Sequence, residues 1–423
     1  MKFTLKTTAN ASIVTSKLAA ARLSTIESWG SVTDLNIPGP LCMIYTKNGL
    51  IPHLINDVIR LADVLPAKSY SGDDDYKTQQ PVFCMSMANL VDLWRSCETF
   101  GKGLKQFVGM RNDALTFLTV QDPGKPFQSG YNDSNNVSIW GRGGRTRMDI
   151  DFYFQMLRTF RLTTGSGVQL MADTDTPIAA QNKRIRKASE RTLRFAEKIL
   201  ERWDADGSMQ NNGTSNYISE NNVTRDTGEI MDDRWATVTG GHFELERKRC
   251  AMQVIALPNI AGYVLEGFHQ YEGRDGALGQ FIDLLGKTVA WLPPDKPRLL
   301  PGSYNPTEIV KAIGAGIDVF DSSYVYRLTE DNHLLEIGPK YPADPLDFRT
   351  TRILVDENAD SLKPPTDVSP PCHCYTCSHY SRAYLHHLLT TDEMLGPLLV
   401  MIHNLNQYLY MFKIIRRYLE FGY

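Results

Sequence analysis

Three cysteines fall within six residues as Cys372-x-Cys374-x2-Cys377, and His403 follows after a further 25 residues. Thiolate and imidazole are the donors a zinc ion takes in a tetrahedron, and three thiols this close can wrap one ion only from a tight turn. Pro370 and Pro371 favour such a turn and oppose helix just before the first thiol. The fourth donor should arrive on a helix. Thr390 and Glu393 have capping-box spacing, and Leu395, Leu398, Leu399, Ile402, Leu405 and Leu409 follow at helical intervals. His403 lies one turn after Leu399, beside that apolar stripe. His373 and His379 are locked between or beside the thiols, and His386 and His387 belong to a preceding short helix, so His403 is the expected imidazole. Cys372, Cys374, Cys377 and His403 together fill a tetrahedron and leave no position for water or substrate. The spacing therefore predicts one structural zinc ion per chain, fixing a C-terminal helical unit and contributing to folding.

The elements that carry this cluster belong to a chain of 423 residues, 42% of them apolar, enough for one large barrel or two medium domains. Short β-branched runs alternate with longer stretches of helical spacing, which suggests repeated β-α units. The expected strands are Leu41–Tyr45, Val82–Ser86, Val168–Ala172, Ala236–Thr239, Tyr263–Leu265, Arg298–Leu300 and Asp318–Phe320, with a weaker eighth around Ala62–Ala67. Between them, Lys183–Leu200 places Ile185, Ala188, Leu193, Ala196 and Leu200 on a helical stripe. Arg184, Lys187, Arg191, Arg194 and Lys198 decorate its other faces, as a phosphate contact or as a solvated side. Residues 116–154 read as an antiparallel insertion built from Leu115–Val120 and Val137–Trp140. Its turn, Gly141-Arg142-Gly143-Gly144-Arg145-Thr146-Arg147, is either an RNA contact or simply a charged hairpin end. The polar stretch 204–233 reads as a long flexible loop, and no repeat of fixed period is present. Pro364, Pro365, Pro370 and Pro371 stiffen a linker ahead of the cysteines.

With 45 basic and 48 acidic side chains the formal charge is −3, which excludes a chain that traps nucleic acid by bulk charge; any RNA contact must be local. No apolar run approaches the roughly 20 residues of a membrane span, and the segment from Met1 to Leu23 is polar, so a soluble cytoplasmic protein is expected. Seven cysteines, an odd number, with Cys42, Cys84, Cys97 and Cys250 scattered singly, point to a reducing compartment.

The text around the cluster adds a resemblance. Ser381-Arg382-Ala383-Tyr384-Leu385-His386-His387-Leu388-Leu389, Glu393-Met394-Leu395-Gly396 and His403-Asn404-Leu405 resemble the tRNA-guanine transglycosylase family, which exchanges an anticodon guanine for queuine or a precursor. The likeness continues in Asp295-Lys296-Pro297-Arg298, Gly302 and Gly316-Ile317-Asp318-Val319-Phe320-Asp321, and more weakly in Thr239-Gly240-Gly241. It implies an α/β fold: a (β/α)8 TIM barrel over residues 1–365, followed by a zinc-binding helical subdomain over 366–423.

The resemblance also implies where chemistry would lie. Base exchange at an N-glycosidic bond needs a carboxylate nucleophile for the ribose carbon and a proton donor for the leaving base. The family's nucleophile pattern, Phe-Asp-Cys-Val-x-Pro-Thr-Arg, is matched by Phe320-Asp321-Ser322-Ser323-Tyr324-Val325-Tyr326-Arg327, which keeps Asp321 and Arg327 but lacks the Cys, Pro and Thr. The acid/base loop corresponds to Cys84-Met85-Ser86-Met87-Ala88-Asn89-Leu90, with Met85 at the carboxylate's place. A glycine-rich recognition loop reads Glu266-Gly267-Phe268-His269-Gln270-Tyr271-Glu272. Asp173 matches a base-binding aspartate, or caps a helix. An intact zinc scaffold with a damaged pocket is similar to the non-catalytic subunit of the eukaryotic enzyme. That likeness implies a heterodimer with the catalytic queuine tRNA-ribosyltransferase subunit, contact with tRNA but not DNA, and, for the family, a peripheral place at the mitochondrial outer membrane. Two alternatives stand: an active transglycosylase using Asp321 with Asp173 or Glu266 as acid/base, and an RNA- or membrane-associated adaptor. The amphipathic end, Lys413-Ile414-Ile415-Arg416-Arg417-Tyr418-Leu419, packs on the barrel or a partner, or meets a membrane.

Overall fold

A computed structural model describes residues 1–6, 18, 20–62, 65, 80–125, 131–162, 164–174, 177, 180–212, 233–268, 277–337, 348–352 and 372–421. Eight parallel strands close a barrel in chain order: Leu41–Tyr45, Val82–Ser86, Leu115–Thr119, Ser166–Gln169, Asp233–Val238, Ile260–Leu265, Arg298–Leu299 and Val319–Asp321. The eighth returns to the first through the pairs Val319↔Leu41, Phe320↔Cys42 and Asp321↔Met43. Intervening helices cover the outside, as expected of a (β/α)8 fold.

Inward-facing residues fill the barrel. Leu41, Met43, Val82, Cys84, Leu115, Phe117, Trp235, Val264, Leu299 and Val319 form one buried cluster. Trp235 is the bulkiest of them, and its neighbours yield space: a Cβ on Gly262 would come within 2.7 Å of its ring. A three-stranded antiparallel sheet, Phe3–Leu5, Ser24–Ile26 and Ile37–Gly39, supplies Ile26 and Ile37 to the same cluster. Trp29 completes it, with its indole nitrogen donating to the Thr116 carbonyl at 2.9 Å.

Two expectations about strands need correction. The strand missing from the expected set is Leu115–Thr119, third in the barrel, not a segment around Ala62–Ala67; Asn56–Leu61 is helical, and residues 63–64 and 66–67 lie outside those described. Leu115–Thr119 therefore leaves the antiparallel insertion, whose hairpin is Val137–Gly141 paired with Gly144–Met148. All five residues of Leu115–Thr119 are buried, because a central parallel strand is covered on both faces. The helix expected over Lys183–Leu200 runs from Asn182 to Asn212, so it covers the start of the expected loop at 204–233; residues 213–232 lie outside the described residues. The proline linker of 353–371 does too. Thr390 does not open a capping box: it ends the helix Arg382–Thr390, its hydroxyl donating to the His386 carbonyl at 2.7 Å, and the last helix starts at Leu395.

That last helix, Leu395–Phe421, packs on the barrel. Met411, Phe412, Ile415 and Leu419 are buried, and Arg416 donates to the Pro40 carbonyl at 2.9 Å. No helix among the described residues is long and apolar enough to cross a membrane. The helix also satisfies the edge of a two-stranded antiparallel sheet, His333–Ile337 with Phe348–Arg352. Asn404 accepts from Leu335 N at 2.8 Å and donates to His333 O at 2.8 Å, while Gln407 accepts from Ile337 N at 3.2 Å. Side-chain amides here replace a missing strand, which matters because buried main-chain groups without partners are costly. Replacing Asn404 by Leu strands one N–H and one C=O, so urea denaturation should show a loss of about 2–4 kcal/mol; a change near zero would show that the edge is satisfied by water.

Candidate metal centre and barrel mouth

Cys372, Cys374, Cys377 and His403 converge, their donor atoms all lying within 4.8 Å of one another. Cys374 caps the short helix Tyr375–His379, its sulfur accepting from Cys377 N at 3.5 Å, so the second and third thiols are set by one helical turn. His403 Nδ1 is 3.7 Å from the Cys372 sulfur, 3.6 Å from that of Cys374 and 3.1 Å from that of Cys377. A tetrahedral ion with Zn–S of about 2.3 Å and Zn–N of about 2.0–2.1 Å needs sulfur and nitrogen about 3.6 Å apart. The quartet fits such an ion with small adjustments.

The surroundings choose the imidazole tautomer. His403 Nε2 is 2.9 Å from the Leu335 carbonyl, which can only accept, so Nε2 carries the proton and Nδ1 turns its lone pair to the thiols. Gln407 donates to the Cys372 sulfur at 2.9 Å. Hydrogen bonds among the three thiols hold Cys372 well below its ordinary range and push Cys377 well above it. The other histidines stand apart from this set, His379 making a 2.8 Å contact with the Tyr375 carbonyl.

At the carboxyl ends of the barrel strands the polar residues bind one another. Asp321 is fully buried; Oδ2 accepts from Gly302 N and Oδ1 from Ser323 N, each at 2.9 Å. Burial raises its carboxyl to about 6, against the pull of these donors. Glu266 ends the sixth strand and accepts from Gln169 at 3.0 Å, and burial pushes it to about 7. Asp122, raised by burial, accepts from Tyr45 Oη at 2.8 Å. Asp173 caps no helix, since the next helix begins nine residues later at Asn182. Its buried carboxylate takes Arg191 Nε at 2.6 Å and Asn132 Nδ2 at 2.7 Å.

Two further residues shape the mouth. Arg247 is fully buried, donates to the carbonyls of Gly241 at 2.6 Å and Glu266 at 2.8 Å, and lies 3.9 Å from the Phe268 ring centroid. Gly240, at φ +131°, is required beneath it, since a Cβ would meet Arg247 N at 2.5 Å. Arg247 carries no sequence signal, because an Arg in a helix reads as solvated.

A family model described as Queuine tRNA-ribosyltransferase matches residues 19–422. The chain belongs to the queuine tRNA-ribosyltransferase family. Among its relatives, the queuine tRNA-ribosyltransferase accessory subunit 2 of Caenorhabditis briggsae is 32% identical over 413 residues, covering 96% of each chain. The protein of the same name from Caenorhabditis elegans is 31% identical over 410 residues, again 96% of each. That from Homo sapiens is 26% identical, over 96% of this chain and 95% of the relative. Met85, which the resemblance sets against the family's acid/base aspartate, is buried in the apolar core cluster outside the barrel interior. Phe268, in the recognition loop, is wholly buried; residues 269–272 of that loop lie outside the described set.

Two outcomes follow. Glu266 titrates in the folded chain above its ordinary 4.5, so the folded state favours its proton. That contribution to stability is complete below about pH 4.5 and is lost as pH rises through about 7. Glu266→Gln should therefore stabilise the chain by about 1–3 kcal/mol at pH 8 and leave it nearly unchanged at pH 5. Denaturation at both values checks this; equal effects at the two would contradict it. At the quartet, Cys372→Ser or His403→Ala should lower bound metal from one equivalent towards none in elemental analysis, with earlier unfolding. Full metal content in either variant would defeat the ligand set.

Proposed function

We propose that this chain is the non-catalytic subunit of a heterodimeric queuine tRNA-ribosyltransferase, supporting exchange of guanine for queuine at the anticodon by scaffolding a catalytic relative and helping to hold tRNA. The observation that carries the reading is the state of Asp321. A nucleophile must reach the ribose carbon, yet this carboxylate is fully buried and has a main-chain N–H on each oxygen. It ties the end of the seventh strand to the start of the Ser323–Glu330 helix, the work of a structural residue.

Two more features support it. A thioether at Met85 transfers no proton. Asp173 is matched by the guanidinium of Arg191, whose planar N–H groups occupy the acceptors a purine's N–H groups would otherwise use. In this reading Cys372, Cys374, Cys377 and His403 hold one structural zinc ion, and residues 366–423 form a subdomain it secures. Beside the ligands, Tyr380 and Tyr384 stack with centroids 5.9 Å apart, and His387 lies 6.3 Å from Tyr384. Met394 is 89% exposed nearby in sequence. Such a surface of aromatic and apolar side chains suits the partner barrel.

Guanine exchange into a queuosine-type tRNA tests the proposal. The purified chain alone should give no exchange, and the mixture with its catalytic relative should. Exchange by the chain alone, abolished by Asp321→Asn, would overturn it in favour of a working transglycosylase.

A further inference from the structure

The hairpin Val137–Gly141/Gly144–Met148 has two unlike faces. Val137 pairs with Met148 and Ile139 with Thr146, and Val137, Ile139 and Met148 are fully buried. On the opposite face Trp140 pairs with Arg145 and Ser138 with Arg147. Directly paired residues project to the same side, so the half-buried Trp140 indole and the exposed guanidinium groups of Arg145 and Arg147 lie together there, beside a buried Ser138. Tyr131 joins them: its ring meets that of Trp140 edge-on at 5.4 Å, and the Arg145 guanidinium carbon is 4.9 Å from its centroid. Tyr131 is 44% exposed.

The charge of this face is left for something else. Asp92 spends one carboxylate oxygen on main-chain donors of the turn, Arg142 N at 2.6 Å and Gly143 N at 3.1 Å, which fixes the turn's shape. Arg147 pairs with Asp133 at 3.0 Å. Arg142 and Arg145 are exposed and enter no ion pair among the described residues. The run 141–147 holds three arginines and no acid in a chain of net charge −3. The platform is also held to the rim of the barrel at the strands' carboxyl ends. Asn132 bridges Ser138 N, at 2.7 Å, and the Asp173 carboxylate, at 2.7 Å, and Ser138 Oγ donates to the Tyr131 carbonyl at 3.0 Å.

We propose that this outer face binds an unpaired stretch of RNA, with a base stacked against Tyr131 and the Arg145 guanidinium and phosphates held by Arg142 and Arg145. Unstacked bases offer the flat surfaces that aromatic and guanidinium planes accept, which a duplex hides, and the two unpaired cations match the backbone charge. This rests on the tRNA-holding role proposed above and assigns that role a surface.

The experiment measures affinity of the chain, alone and assembled with its catalytic relative, for a stem-loop RNA and for a fully paired RNA of equal length, across a salt series. Tyr131→Ala should weaken stem-loop binding about 5- to 50-fold and leave the paired RNA unaffected, whereas Tyr131→Phe should bind as wild type. Arg142→Ala with Arg145→Ala should make the slope of log affinity against log salt shallower by about 1.4. Unchanged affinity in all variants, with wild-type exchange activity intact, would overturn the hairpin assignment and leave the accessory reading standing. Loss of the catalytic relative on gel filtration, with RNA affinity unchanged, would make the face a protein interface and equally overturn it. Absence of exchange by the wild-type mixture would instead sink the accessory reading itself.

Discussion

The imidazole of His403 works in two directions, and much of the C-terminal architecture depends on it. One nitrogen faces three sulfurs and the other holds the Leu335 carbonyl. Asn404 and Gln407, the next residues on that side of the helix, continue the pairing along the His333–Ile337 strand, and Gln407 closes the circuit on the Cys372 sulfur. A single helix therefore serves as ligand donor, strand substitute and barrel cover. Tyr408, one turn further, donates to the Tyr304 carbonyl in the loop after the seventh barrel strand. One helix thereby joins the three sulfurs, the hydrogen-bonded edge and the barrel rim.

The rim itself illustrates how carboxylates at strand ends can be held by partners from their own chain. Four carboxylates, Asp122, Asp173, Glu266 and Asp321, remain near the strand ends, but each is engaged by a group of the same chain. Burial raises Asp122, Glu266 and Asp321, and the hydrogen bonds that offset it come from tyrosine, glutamine and main chain. A carboxylate used this way fixes loops. The cost of desolvating it is tolerated because the alternative is an unsatisfied amide or hydroxyl in the same place.

Legibility in the sequence followed the distance over which each feature is specified. The convergence of Cys372, Cys374, Cys377 and His403 was readable because three of them lie close together in sequence and the fourth sits on a helix with a plain apolar stripe. Seven barrel strands were readable as short apolar runs near their observed positions. Leu115–Thr119 was misplaced because the hairpin beside it supplied a plausible antiparallel partner, and sheet neighbours are a tertiary fact. The supposed capping box failed since Thr390 had a nearer acceptor in its own helix. The structural roles of Asn404, Gln407 and Arg247 left no trace: each satisfies main-chain groups outside its own helix, a role that polar residues on a helix do not advertise.

The side-chain pairing of His333–Ile337 also sets an order of events during synthesis. Leu335 and the imidazole that satisfies its carbonyl are 68 residues apart, so the strand leaves the ribosome well before the helix that completes it. In that interval the eight barrel strands already exist as chain, while the added sheet presents an open edge, the kind of surface that recruits other strands. Docking of the last helix is thus a late step, and until it arrives the main-chain groups of Leu335 and Ile337 lack the partners that cover them in the folded chain.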